Sequence, residues 1–165
     1  MLRPIVEEAP SSPSARVLLG LTHYRMGQWK AAAQQLEAFR ALSDSTEQHP
    51  VLADCYRALR RWDRVDALWL ELRAASPDAA IVAEGRIVMA GSWADRGRLD
   101  DAIALLQRAR RPSKRPQDHH LRTAYALADL YERAGDLVRA RDLFAWIRHH
   151  APDFADVSGR LRALR

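Results

Sequence analysis

The sequence predicts an all-α protein, a right-handed α-solenoid of four helix-turn-helix repeats. Apolar residues follow helical periodicity along the chain, and no segment alternates as a strand would. Seven columns of similar residues also recur at steps of 33, 37 and 38 residues. A period of this length is typical of repeats that each bury an apolar face against the next. The columns are Leu19, Leu52, Met89 and Leu127; Gly20, Ala53, Ala90 and Ala128; His23, Tyr56, Trp93 and Tyr131; Gly27, Arg60, Gly97 and Gly135; Trp29, Trp62, Leu99 and Leu137; Ala32, Val65, Ala102 and Ala140; and Leu36, Trp69, Leu106 and Phe144.

The repeats are expected at about residues 14–43, 47–77, 79–112 and 118–152 of a single domain, 1–165. In the first repeat, a helix over about 14–26 ends at Gly27 and a second helix covers about 29–42. Pro50 suits the first turn of a short helix over about 50–59, and the second helix of that repeat covers 62–75. Because Arg60 stands where the other repeats have glycine, either it accepts a left-handed strain of roughly 1 kcal/mol or the turn differs.

The third repeat accounts for the 37-residue step through a longer first helix, expected over about 79–96. Asp100 and Asp101 then start its second helix, where acidic side chains favour the helix dipole, so we do not interpret them as a catalytic pair. In the fourth repeat, Asp118 is expected to cap a helix that reaches about residue 134. A second helix follows over about 136–150.

Both ends of the chain depart from the repeat. Leu2, Ile5 and Pro10 have the spacing of a second-helix tail, which predicts a half-repeat over 1–9. This is either an N-terminal cap or a sign that the natural chain begins upstream, and its open face predicts self-association through residues 1–20. At the other end, a capping helix is expected over 153–164. Its apolar stripe is Phe154, Val157, Leu161 and Leu164, with Arg160, Arg162 and Arg165 outside the stripe.

Composition indicates a folded protein without a membrane-spanning segment. The 165 residues are 48% hydrophobic and 28% charged, and no long apolar run is present. The N-terminus lacks the pattern of a secretory signal, so we expect a cytoplasmic protein, and its single cysteine, Cys55, is expected in the core. The net charge is +5, and the excess of arginine over lysine indicates a bacterial genome of high GC content.

The columns resemble the tetratricopeptide repeat family over about residues 14–152, most fully in the fourth repeat. This resemblance implies that the protein binds a peptide or partner segment in a concave groove lined by the first helices. By register, the groove residues are Tyr24, Arg25, Asp54, Arg57, Gly91, Asp95, Tyr125, Asp129, Glu132 and Arg133. The best-known version of the family clamps a C-terminal carboxylate with lysines and asparagines. None stands at the matching positions, so we do not expect that ligand.

The expected function is therefore a protein-interaction scaffold that needs no cofactor and catalyses no reaction. The adjacent histidines at 119–120 and 149–150 point about 100° apart on a helix and cannot share a metal ion. The alternative function is a nucleic-acid-associated module that uses a basic loop between repeats. The basic residues of that loop are Arg108, Arg110, Arg111, Lys114 and Arg115.

Overall fold

The computed structural model describes residues 12–110 and 113–164, and the regular structure within those ranges consists of nine helices. They are α1 Pro13–Arg25, α2 Trp29–Leu42, α3 His49–Ala58, α4 Trp62–Ala75, α5 Ala79–Asp95, α6 Leu99–Ala109, α7 Asp118–Arg133, α8 Leu137–His150 and α9 Val157–Ala163. The all-α prediction is confirmed. The chain divides into two compact units, residues 1–88 and 89–165, and the division lies within α5.

The first unit contains two helix pairs, α1 with α2 and α3 with α4, followed by the first part of α5. The paired helices approach closely because the column at Gly20 holds small residues. A Cβ atom added at Gly20 would lie 2.8 Å from Leu36 Cδ2, a contact that forces a side chain to move. The buried core of this unit includes Leu36, Leu52, Val65 and Leu72.

The second unit contains the remainder of α5, then α6, the pair α7 and α8, and α9. Ala90 and Ala128, which continue the small-residue column, are fully buried. Helix α9 packs on α8 and buries Val157 and Leu161, as the apolar stripe predicted. The core also includes Leu106, Leu127, Phe144 and Ile147.

The turn between the helices is the same in all four repeats. Its left-handed residues are Gly27 (φ 70°), Arg60 (φ 56°), Gly97 (φ 80°) and Gly135 (φ 77°). In each turn, the next residue donates its N–H to a carbonyl of the aromatic column: Gln28 to His23 (2.9 Å), and Arg61 to Tyr56, Arg98 to Trp93 and Asp136 to Tyr131 (2.8 Å each). Arg60 therefore adopts the glycine conformation, and of the two alternatives it accepts the strain.

Three local expectations differ from the structure. The cap of α7 is Gln117, whose N–H donates to His120 Nδ1 at 3.0 Å, so Asp118 is the first helical residue and not the cap. Residues 152–156 form turns, with Ala155 at φ 47°, so the terminal helix begins only at Val157. Arg160 does not lie outside the packed face. It is half-buried because carboxylates of α7 bind it.

Several predictions fall on residues that are not described. The half-repeat over 1–9 and most of the surface assigned to self-association lie outside the described residues, as do Arg111 and Arg165. Cys55 is fully buried, as predicted. Within the described ranges, no helix is long and apolar enough to cross a membrane.

Candidate partner-binding site

In the first unit, the predicted groove residues form a network between two repeats. The Tyr24 hydroxyl on α1 donates to an Asp54 carboxylate oxygen on α3 at 2.6 Å, and Arg57 lies 3.4 Å from the other oxygen of Asp54. The Tyr24 ring also packs edge-on against Trp29, with 5.4 Å between centroids. Burial, and then the hydrogen bond to Asp54, raise the pKa of Tyr24 far above its usual value. Arg25, one residue further along, is exposed.

In the second unit, Asp95 on α5 and Arg133 on α7 form an ion pair between repeats. The distance from Arg133 Nη2 to Asp95 Oδ1 is 3.6 Å, and both residues are exposed. Because water screens such a pair, it is worth roughly 0–1 kcal/mol.

The other predicted groove residues of this unit contact the last helix of the chain. Arg160 on α9 donates to Tyr125 Oη at 3.2 Å, to Asp129 Oδ1 at 3.0 Å, and to the Glu132 carboxylate. The Tyr125 hydroxyl donates to Asp156 Oδ1 at 2.5 Å. Burial, and then this bond to Asp156, raise the pKa of Tyr125. Three of the predicted groove residues, Tyr125, Asp129 and Glu132, are thus bonded to the capping segment.

Hydrogen bonds between a second helix and the next first helix repeat in both units. Tyr56 on α3 donates to Glu37 Oε1 on α2 at 2.8 Å, and Gln107 on α6 donates to Tyr131 Oη on α7 at 2.5 Å. Glu37 and Gln107 each follow the apolar residue of the last column by one position. The tyrosines of the aromatic column therefore link successive repeats by polar contacts as well as by packing.

A column of arginines was not among the predicted features. Its members, Arg40, Arg73, Arg110 and Arg148, follow the 33-, 37- and 38-residue steps, so the sequence contained the signal. Arg40 Nη2 donates to both carboxylate oxygens of Glu71 at 2.7 Å. Glu71 Oε2 also lies within hydrogen-bond distance of His49 Nε2, at 3.0 Å. In the second unit, the Arg110 guanidinium lies 5.4 Å from the Trp146 ring centroid. The column thus contacts the following second helix in each unit.

Arg110 also lines a cavity of about 290 Å³ between α6, α7 and α8. The other lining residues are Gln107, Leu127, Tyr131, Arg139, Asp142 and Leu143. Of the remaining predicted basic patch, Arg108, Lys114 and Arg115 are exposed. A nucleic-acid role for this patch stays a prediction.

The described histidines are not arranged as a metal site. No group of three or more His, Cys, Asp or Glu residues in the described ranges is positioned to hold a metal ion. His119 and His120 lie with ring centroids 4.0 Å apart, and His120 Nδ1 already accepts the capping N–H of Gln117.

The comparisons with known proteins agree with the repeat geometry. The family model described as "Anaphase-promoting complex, cyclosome, subunit 3" matches residues 1–67. The crystal structure of a thermophilic TPR protein from Thermus thermophilus superposes with a TM-score of 0.76 at 22% identity, over 99% of this chain and 86% of that one. This chain has the tetratricopeptide repeat fold. No curated protein matches the sequence.

The predicted resemblance to the tetratricopeptide repeat family is thereby confirmed. Tetratricopeptide repeat proteins are typically protein-interaction scaffolds without catalytic activity, because stacked repeats present extended surfaces.

Proposed function

We propose that this tetratricopeptide repeat protein is a cytoplasmic, non-catalytic scaffold that binds a peptide or partner segment along its first helices. In the first unit, the proposed surface is formed by Tyr24, Arg25, Asp54 and Arg57. In the second unit, it is formed by the exposed pair Asp95 and Arg133 and, beside them, by the residues that Arg160 contacts, Tyr125, Asp129 and Glu132. The surface carries both charge signs beside aromatic rings, so it suits a charged segment that also contains aromatic or apolar side chains.

The contact of Arg160 with α7 carries this proposal. Its guanidinium lies 5.7 Å from the Tyr125 ring centroid and 3.0 Å from Asp129 Oδ1, on the face of a first helix. A guanidinium that stacks on an aromatic ring while it bonds carboxylates combines two attractive interactions. The same chemistry on the neighbouring exposed residues would bind charged side chains of a separate chain.

A peptide-display selection on the immobilised protein tests the proposal. The groove variant combines Arg25→Glu and Arg133→Glu, and both of these residues are exposed. The matched control combines Lys30→Glu and Arg141→Glu, which are exposed on the second helices α2 and α8 and cause the same change in charge. We expect selected peptides to bind the control normally and the groove variant about tenfold more weakly, a loss of about 1.4 kcal/mol.

Two results would contradict the proposal. One is a selection that enriches no peptide over an unrelated helical protein. The other is an equal loss of affinity in the groove variant and in the control, since this would mean that the peptides respond to net charge alone.

The nucleic-acid alternative depends on the exposed residues Arg108, Lys114 and Arg115. It predicts binding to duplex or single-stranded nucleic acid whose affinity falls steeply as salt increases, because each contact with a phosphate releases counterions. A titration that shows no binding at low salt would eliminate this alternative without affecting the scaffold proposal.

A further inference from the structure

Two guanidinium groups lie beside one tryptophan in the first unit. Arg73 follows Trp69 by one turn on α4, and Arg86 reaches the same ring from α5. Each guanidinium carbon lies 5.7 Å from the Trp69 ring centroid. Trp69 itself is only 7% exposed, so its ring forms a fixed apolar wall beside the two charges.

A glycine allows this arrangement. A Cβ atom added at Gly85 would lie 2.2 Å from Leu72 Cδ2 and 3.5 Å from the Trp69 ring, so α5 approaches α4 more closely than another residue would allow. Arg86 is the next residue on α5, and this close approach brings its side chain to Trp69 and leaves it half-buried.

Neither arginine has a carboxylate partner in the described part of the chain. Burial, and then the positive charge of Arg73, lower the pKa of Arg86. Two like charges beside each other with one of them partly removed from water are unfavourable, and a bound anion would relieve both costs.

The register of the repeats indicates what kind of anion suits this position. Arg40 occupies the position of Arg73 one repeat earlier, and it binds both oxygens of the Glu71 carboxylate at 2.7 Å. In the next second helix, the residue that corresponds to Glu71 is Arg108, which is basic. Among the residues that the structure describes, the arginine column therefore has a carboxylate partner at Arg40 but not at Arg73.

We propose that Arg73 and Arg86 form a binding site, walled by Trp69, for the side-chain carboxylate of an aspartate or glutamate of a partner protein. The planar guanidinium fork matches the two oxygens of a carboxylate, as it does at Arg40. Trp69, Arg73 and Arg86 are not among the residues of the proposed groove, so the site does not depend on the groove being a binding surface.

The test uses fluorescence anisotropy with a labelled hexaglutamate peptide as the probe. The site variant combines Arg73→Gln and Arg86→Gln. The matched control combines Arg141→Gln and Arg148→Gln, which removes two exposed arginines of α8, one of them from the arginine column. We expect the site variant to bind the peptide about tenfold or more weakly than the wild-type protein, and the control to change by less than about twofold.

Two further probes identify the ligand chemistry. A hexaglutamine peptide is expected not to bind, and any affinity for a single-stranded oligothymidylate of similar charge is expected to be the same in the site variant and in the control. An Arg86→Lys variant, which keeps the charge and removes the fork, is expected to show an intermediate affinity. Circular dichroism establishes that each variant is folded.

Three outcomes would overturn the proposal. They are no binding of hexaglutamate by the wild-type protein at low salt, an equal loss in the site variant and the control, and a loss of oligothymidylate affinity confined to the site variant. The last would assign the two arginines to phosphate, and none of the three bears on the groove variants.

Discussion

Arg160 on α9 donates to the Asp129 carboxylate on α7 across 3.0 Å. Its side chain is only 24% exposed, and it also pairs with Glu132. The capping helix is thus attached to the last repeat by charge as well as by the buried residues Val157 and Leu161.

Replacing Arg160 by alanine is expected to lower the free energy of unfolding by about 1–3 kcal/mol, because hydrogen bonds to charged groups are lost and two carboxylates are left facing each other. Urea unfolding followed by circular dichroism measures the effect. The control is Arg162→Ala, since Arg162 is exposed on the same helix. Equal values for the two variants would mean that the ion pairs contribute nothing to the attachment of α9.

The turn residue Arg60 offers a stabilising substitution. Its φ of 56° costs a non-glycine residue about 1–2 kcal/mol. Glycine would remove this cost, but its greater freedom in the unfolded chain offsets part of the gain. We therefore expect Arg60→Gly to raise the free energy of unfolding by up to about 1 kcal/mol. The Arg60 guanidinium lies 6.0 Å from the Trp62 ring centroid. A thermal or urea transition measures the effect of the substitution, and a clear destabilisation would show that this contact outweighs the strain.

Replacing a turn glycine by alanine measures the cost of the left-handed backbone conformation alone. Gly97 has φ 80°, and no atom lies within 4 Å of a Cβ added there, so Gly97→Ala meets strain without steric overlap. The expected cost is about 1 kcal/mol. A neutral result in the same urea assay would contradict the strain that a non-glycine residue is argued to have at this turn position, as at Arg60.

Ser92 on α5 is a buried polar residue whose hydroxyl has no hydrogen-bond partner in the described part of the chain. Because an unsatisfied buried hydroxyl is unfavourable and alanine is the better helix former, Ser92→Ala is expected to stabilise the fold by about 1 kcal/mol. Differential scanning calorimetry checks this through an increased Tm. A decreased Tm would indicate that the hydroxyl is solvated or bonded in solution.

Cys55 and Tyr56 predict a loss of stability at alkaline pH. Burial, and then the charge of Asp54, raise the pKa of Cys55 to about 12. Burial, and then the hydrogen bond to Glu37, raise the pKa of Tyr56 to about 12. In the unfolded chain these groups ionise near about 8.5 and 10. The folded state therefore keeps protons that the unfolded state releases, and stability declines as pH increases from about 8.5 towards 12.

The Tm is accordingly expected to be flat between about pH 7 and 8 with respect to these two groups and to fall above about pH 9. The double variant Cys55→Ala, Tyr56→Phe is expected to show a shallower fall than the wild-type protein. Identical slopes would mean that other groups govern the alkaline transition. As an independent check, a thiol reagent at pH 8 should label Cys55 only after urea is added, because the thiol is fully buried.

The helices were predictable because each repeat has the same spacing of apolar, small and aromatic residues. Apolar spacing predicted second helices at 29–42 and 62–75, and the structure has them at the same residues. The glycine column predicted three of the four turns. Arg60 left two possibilities open, since local preference opposed a left-handed arginine. The structure has the strained form, in which Arg61 makes the same backbone bond to the aromatic column as in the other turns.

The polar contacts between helices were harder to predict from the sequence. Tyr24, Asp54 and Arg57 were chosen by register, but their mutual bonding depends on how far one first helix lies from the next. The error at Arg160 has the same origin. Periodicity placed it outside the apolar stripe, which is correct for the helix alone, but a long side chain at the edge of a stripe can reach carboxylates on a neighbour.

By itself, then, the sequence determined the all-α class, the small-residue and aromatic columns, and the apolar stripe of the last helix. These features follow from periodicity and side-chain size, which are local properties. Only the tertiary structure decided that Arg160 binds Tyr125, Asp129 and Glu132, and that Arg73 and Arg86 converge on Trp69 with no carboxylate partner among the described residues. Such convergence depends on how the helices pack against one another, which periodicity and side-chain size in one helix do not determine.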